Sequence, residues 1–248
     1  MTRPWNEDQL IGHVLAILDT FRQYEAPLVS AIENGSASRE QITRLGAYFA
    51  FFTSVTPHQQ GFLISRCDDP IVRRSMIDTL IDEETELRCG SKSHTELAID
   101  FGCRFSGLSR VQLAAFPLPL PIQDMNHFRL RVARDEPLGV ALGVLGMGGE
   151  RDFSRTCARL STGLRRHYGV ADDDQQSWIV HIEGDLEHGA AAERLSRQLL
   201  RGVEDQRRSL KLLAEYQDRW QTFFGLALDP GFRAESSALA RFASLWTD

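Results

Sequence analysis

The sequence predicts an all-α protein, a single domain over residues 1–248 built as a bundle of seven to eight helices. Apolar residues recur at three- and four-residue spacing through most of the chain, as in Leu10, Ile11, Val14, Leu15 and Leu18. Helix start and stop signals punctuate these stretches at short intervals. No segment shows the period-two alternation, bounded by turn residues, that would mark a strand. With 42% hydrophobic and 25% charged residues in 248, the chain can bury a sizeable core.

Residues 6–21 form the first amphipathic helix. In "IENGSASREQI" Gly35 closes one helix and Ser38 opens the next, with Gln41 completing a capping box. That next helix spans about 39–55 and is rich in aromatics: Tyr48, Phe49, Phe51 and Phe52. Asp69 then caps a helix whose first position is Pro70, where a missing N–H is harmless, and which should run to Gly90. A shorter helix carries "HTELAIDFGCRF", and "FPLPLPIQD" reads as a proline-punctuated loop. Residues 124–134 and 136–148 read as helices, the second opening on Pro137; another spans about 150–167 and ends near "HYGVADDD". Asp174 is expected to cap the helix bearing "WIVHIEGDLEHG", and 191–224 carries Leu195, Leu199, Val203, Leu210 and Leu213 on one stripe. The tail from Asp229 is led by Pro and Gly and is weakly helical.

Composition excludes several classes of function. A net charge of −6 without any dense Lys/Arg block argues against nucleic-acid partners. The apolar runs are too short to span a membrane, and "MTRPWNEDQLIGH" lacks the basic start and apolar core of a signal peptide, so a cytoplasmic protein is expected. Cys67, Cys89, Cys103 and Cys157 are far apart and form no C-x-x-C pair, and are read as buried reduced thiols. Lys92 and Lys211 are the only lysines, leaving two possible Schiff-base nucleophiles with no activating neighbour in sequence. Arg66, Arg73 and Arg74 could clamp a substrate carboxylate or could simply line a solvated helix face.

The stretch "WIVHIEGDLEHG" concentrates the chemistry. On a helix, His181, Asp185 and His188 stand at i, i+4 and i+7, which puts all three on one face. Imidazole with carboxylate suits first-row metals, and a bundle core combining both is how dinuclear carboxylate sites are built. A polar helix carrying these residues by coincidence is the alternative. Further candidates stand upstream: Glu84, then His94 ten residues later, then Glu150 after the small-residue segment "GVALGVLGMGG".

In this order the residues resemble the ligand pattern of the heme-oxygenase-like diiron oxidases, a branch of the fold shared with thiaminase-type and pyrroloquinoline-quinone-synthase-like proteins. "ENGSASREQITRLGAYFAFF" and "DDPIVRRSMIDTLIDEE" also resemble that family's second and third helices, so the likeness covers most of the chain. It implies a heme-oxygenase-like bundle whose metal ligands are Glu84, His94, Glu150, His181, Asp185 and His188, holding two iron ions and using O2 as cosubstrate. On an unbroken helix Glu83, eleven residues before His94, would share its face better; the poor helix interior "CGSKS" favours Glu84 instead. Glu150 would bridge the ions, which would deliver electrons to O2 for oxidation of a bound small molecule. The resemblance further implies an amino-acid-derived substrate of specialised metabolism, attacked by N-oxygenation, desaturation or C–C cleavage. An external electron donor and a homodimer are compatible with it. Three other readings remain: a metal-free quinone-synthase- or thiaminase-like enzyme of the same fold, a heme-binding protein whose distal helix is "LGVLGMGG", and a non-enzymatic metal-storage or interaction protein, which steady O2 consumption with substrate would exclude.

Overall fold

Four helices begin with reciprocal capping boxes, at Asn6, Ser38, Ser93 and Ser109, each satisfying two backbone donors that a helix start would otherwise leave unpaired. The computed structural model describes residues 3–85, 92–150, 152–233, 239 and 241–245, the side chains of residues 183, 186 and 187 excepted. Among these the regular elements are helical: α1 (Glu7–Phe21), α2 (Pro27–Glu33), α3 (Arg39–Thr53), α4 (Thr56–Ser65), α5 (Pro70–Thr85), α6 (His94–Ser106), α7 (Arg110–Ala114), α8 (Leu120–Asp135), α9 (Leu138–Leu142), α10 (Gly148–Glu150), α11 (Phe153–Tyr168), α12 (Gln176–Leu199) and α13 (Val203–Leu228), with short 3-10 turns and one π-helical segment between them. The eight long helices α1, α3, α5, α6, α8, α11, α12 and α13 are the bundle expected from the periodicity. Among the described residues, no helix is long and apolar enough to cross a membrane.

The expected caps at Ser38 and Asp69 form: the Asp69 carboxylate accepts from the N–H groups of Ile71 and Val72 at 2.8 and 3.1 Å. Several boundaries differ from expectation. "TPHQQGFLIS" is a helix, α4, opened by Thr56 and Pro57, and the proline-punctuated loop becomes helical at Leu120 because Pro121 tolerates the first turn. Asp174 does not cap α12. It sits in the 3-10 turn Asp172–Gln175 and pairs with Arg104 at 3.1 Å, while Gln175 stands at the N-cap. The apolar stripe expected over 191–224 is divided between α12 and α13, which part before Gly202 at the N-cap of α13. The expected extension of α5 to Gly90 lies outside the described residues. Cys67 and Cys157 are buried thiols, Cys103 is only partly buried, and Cys89 lies outside the described residues.

The segment expected as one helix over 136–148 is instead α9, then a π-helix over Gly143–Met147, then α10. Gly146 explains part of this: a Cβ there would collide with Ala192 of α12, so the backbone itself is the packing surface. One extra residue in a helical turn rotates everything beyond it by about 100°. Glu150 stands at the end of this re-aimed segment.

A continuous apolar core runs from Leu10 on α1 to Ala227 on α13. Within it α3 packs on α6 and α13, α11 on α12 and α2, and α4 on α5 and α8, while α12 also touches α5, α6 and α10. That last set gathers α5, α6, α10 and α12 around one point.

Packing at α2 and α11 carries a stability prediction. A Cβ at Gly163 would overlap the Ile32 carbonyl oxygen of α2, a backbone atom that cannot rotate away, whereas at Gly12 on α1 the space is open. Gly163→Ala is expected to lower the melting temperature by an amount equivalent to about 2 kcal/mol or more. Gly12→Ala should raise stability by about 0.5–1 kcal/mol. Thermal denaturation of both proteins checks the pair.

Candidate metal centre

Helix α5 turns Val72, Met76 and Glu83 inward, and Glu83 lies seven residues, or two turns, beyond Met76. The Glu83 carboxylate is buried and stands 3.0 Å from Nδ1 of His94, at the N-terminus of α6. Glu84, one residue further round, is exposed. The structure thus turns Glu83, not the expected Glu84, toward His94: α5 stays regular through Thr85, so the next residue points about 100° away from the inward face. The spacing of Met76 and Glu83 was the available signal.

His181 lies beside His94 with ring centroids 4.7 Å apart and the rings tilted by 58°, and its Nδ1 donates to the Ser177 carbonyl one turn back at 2.6 Å. Its Nε2 is thereby left with the lone pair. Phe49 and Phe153 meet the same ring edge-on at 5.9 and 5.5 Å. One turn on, Asp185 is 3% exposed, and its Oδ2 has no hydrogen-bond partner. A further turn along, His188 directs Nε2 to the Asp82 carboxylate at 3.3 Å, and its buried Nδ1 has no hydrogen-bond partner. Asp82 was not foreseen from the sequence. It accepts from Nε2 and so orients the imidazole, leaving the lone pair on Nδ1.

Glu83, Glu150, His181 and Asp185 line one cavity of about 50 Å³, together with Phe49, Phe52, Phe153, Arg129, Tyr216 and Trp220. An adjoining cavity of about 40 Å³ shares Gln59, Gln60, Leu145 and Glu150 with it and is bordered by His188. Glu150 thus lies between the two spaces. The structure brings Glu150, His181, Asp185 and His188 to this pair of cavities, holds His94 against Glu83 at its edge, and leaves Glu84 outside.

Electrostatics set the carboxylates apart. Burial alone would raise the Glu83 carboxyl, but the imidazoles of His94, His181 and His188 outweigh it and hold the group at about 2. Burial raises Glu150 well above the usual carboxylate range, reinforced by Glu83 and opposed by Arg129 and His94. Asp185 is raised well above its ordinary value by burial, with the charges of Glu150 and Glu83 adding to the effect. His181 is lowered to about 4, chiefly by burial and then by the neighbouring His94. Buried together, these acids cannot all ionise at once.

Does this donor set fit iron? Among the described residues, no three His, Cys, Asp or Glu side chains are arranged around one point as metal ligands. Glu83 and Asp82 already lie against His94 and His188, at 3.0 and 3.3 Å. The chemistry nevertheless fits: an unpartnered buried carboxylate oxygen, an unpartnered imidazole nitrogen and further carboxylates border the two adjoining cavities that share Glu150.

Other sequence candidates fall elsewhere. Arg66 donates to the carbonyls of Arg134 and Glu136, and Arg73 to that of Cys67, so both tie loops together. Lys92 pairs with Asp100 at 2.7 Å and lines a different pocket, with Leu97, Phe101 and Arg104. Phe49 and Phe52 line the cavity while Phe51 borders a separate apolar groove. Arg129, Gln59, Gln60 and Tyr216 reach the cavity from α4, α8 and α13, and no local motif marks them in the sequence.

Comparison with known proteins agrees with this architecture. The family model described as iron-containing redox enzyme matches residues 47–220. A 4-aminobenzoate synthase of Chlamydia pneumoniae is 28% identical over 171 residues, 69% of this chain and 73% of that protein. A 4-aminobenzoate synthase of Chlamydia trachomatis serovar D is 23% identical over 201 residues, 79% of this chain and 82% of that protein. Among solved structures, a TenA homolog from Pseudomonas syringae pv. tomato superposes with a TM-score of 0.75 at 14% identity, covering 88% of this chain and 90% of its own. A domain with a heme oxygenase-like fold from Shewanella denitrificans gives 0.69 at 10% identity, covering 98% and 94%. The bundle has the heme-oxygenase-like fold.

Proposed function

Because the chain belongs to the iron-containing redox enzyme family, we propose that it is an O2-dependent non-heme diiron oxidase acting on a small amino-acid-derived substrate. The observation that carries this reading is the unpartnered Asp185 Oδ2, buried with Glu150 and His181 around one cavity, beside a second bordered by His188. The residues that would hold the metals are Glu83, His94, Glu150, His181, Asp185 and His188, with Glu150, at both cavities, suited to a shared position. Bound ferrous ions would supply the electrons that reduce O2 and so oxidise the substrate by N-oxygenation, desaturation or C–C cleavage.

The protein's own side chains do the rest. Phe49, Phe52, Phe153 and Trp220 keep the cavity apolar on one side and exclude bulk water. Ser177 sets the His181 tautomer and Asp82 that of His188. The relatives are named for 4-aminobenzoate, an aromatic amine bearing a carboxylate. An amine- or carboxylate-bearing substrate is in keeping with that chemistry. An external electron donor, cytoplasmic residence and a homodimer belong to the same reading.

Anaerobic reconstitution with ferrous iron, followed by metal counting and by absorbance after O2 is admitted, tests the proposal. About two iron ions per chain are expected. Tight heme binding without dinuclear iron would overturn it. Within the same assay Glu83→Gln should lower iron content to about one ion per chain or less, and Glu84→Gln should leave it unchanged. Equal iron loss in both proteins would remove Glu83 from the ligand set.

A further inference from the structure

Arg129 on α8 is 3% exposed and lines the same cavity as Glu150, His181 and Asp185. Its guanidinium is pinned by neutral oxygens. Nε donates to Gln59 at 3.0 Å, Nη1 to the Phe52 carbonyl and to Asn126, and Nη2 to Thr56 at 3.0 Å. The plane lies over the Phe52 ring, 3.8 Å from its centroid. A guanidinium has five N–H groups, and these bonds use four, leaving one on Nη2. Among the described residues, no carboxylate forms an ion pair with it.

A buried cation without a counter-ion is costly, and a protein that only needed to tie α8 to α4 could do so with neutral groups. Burial disfavours the charged guanidinium, and Tyr216, Glu83 and Glu150 offset this only from longer range; cations bound by the two carboxylates would cancel their part. A fixed, planar donor in the lining of an aromatic-walled cavity matches a carboxylate attached to a flat apolar body. We propose that Arg129 is the anion anchor of the substrate site, holding the carboxylate of a small aromatic acid against Phe49, Phe52 and Trp220. This inference rests on the oxidase reading and names its substrate class. Arg129 would then set position and affinity, while the metal ligands carry the redox chemistry.

Calorimetric titration of the metal-free full chain with benzoate, and with benzamide as its neutral counterpart of nearly the same shape, tests the anchor. The wild-type chain is expected to bind benzoate at least about tenfold more tightly than benzamide, and Arg129→Gln to abolish that preference while keeping the benzamide affinity. Both proteins should take up the same amount of iron on anaerobic reconstitution. Equal affinity for the two probes in the wild type, binding of neither, or equal weakening of both in Arg129→Gln, overturns the proposal. Should Arg129→Gln fail to fold, Arg129→Lys keeps the charge but not the planar fork. It must then weaken benzoate binding more than benzamide binding, and a uniform change counts against the anchor. A wild-type chain that takes up no iron overturns the oxidase reading whichever probe binds. A chain that takes up iron without discriminating the probes overturns only the anchor.

Discussion

A His188→Ala protein is expected to remain folded and to lose substrate-dependent O2 consumption by about a hundredfold or more. The fold should survive because His188 makes one described hydrogen bond, to Asp82, whose side chain is 23% exposed and can reach water once its partner is gone. The stability loss should therefore stay near 1 kcal/mol, at the low end of what stranding a polar group costs. Iron content should fall to about one ion per chain, because the imidazole whose Nδ1 is free in the metal-free chain has been removed. Circular dichroism, melting temperature and metal counting on one preparation read all three effects. A protein that melts much earlier yet retains iron and turnover would make His188 a structural residue and sink the oxidase assignment.

Asp185→Asn should act in the opposite sense on stability. Burial, with the charges of Glu150 and Glu83, raises the Asp185 carboxyl well above its ordinary value, so the folded metal-free chain keeps a proton that the unfolded chain releases. Its contribution to stability is complete below the ordinary aspartate value and is lost as pH rises through the raised folded value. Asparagine has a similar shape and no charge to bury. The metal-free variant should thus exceed the wild type in melting temperature at about pH 8, by an amount equivalent to about 1–3 kcal/mol, and the gap should close toward about pH 4. For a chain of this length that is roughly 2–10 °C. His181, lowered to about 4, and Glu83, held at about 2, work the other way, costing stability as pH falls. Both proteins share those two groups, so the difference between the melting curves isolates Asp185. With iron bound the order should reverse, because the carboxylate then has a cation to face. Parallel pH profiles for the two metal-free proteins would show that Asp185 is ordinarily ionised and solvated.

On the proposed reading, stability is given up where metal would bind. A cluster of acids that cannot ionise together is a poor way to hold helices and a good way to receive cations. The bundle supplies the compensation elsewhere, in aromatic packing such as Phe49 against Trp178 at 4.5 Å and Phe52 against Trp220 at 4.6 Å.

Features written in local spacing could be read from the chain alone. The Ser38 capping box, the Asp69–Pro70 start, the long amphipathic helices and the placing of His181, Asp185 and His188 on one face depend on residues within two turns of one another. Tertiary packing decided the rest. Glu83 rather than Glu84 faces His94 because α5 stays regular through Thr85, and the energy of a single helix does not say which side its neighbours cover. The π-helical turn before Glu150 answers to the close approach of Gly146 and Ala192, residues 46 positions apart. Asp82 meets His188 across 106 residues, and Arg129 reaches the cavity by bonds to Phe52, Thr56 and Gln59 more than 65 residues away. Their roles come from desolvation and charge at a point where several helices meet, and that environment exists only after the chain has folded.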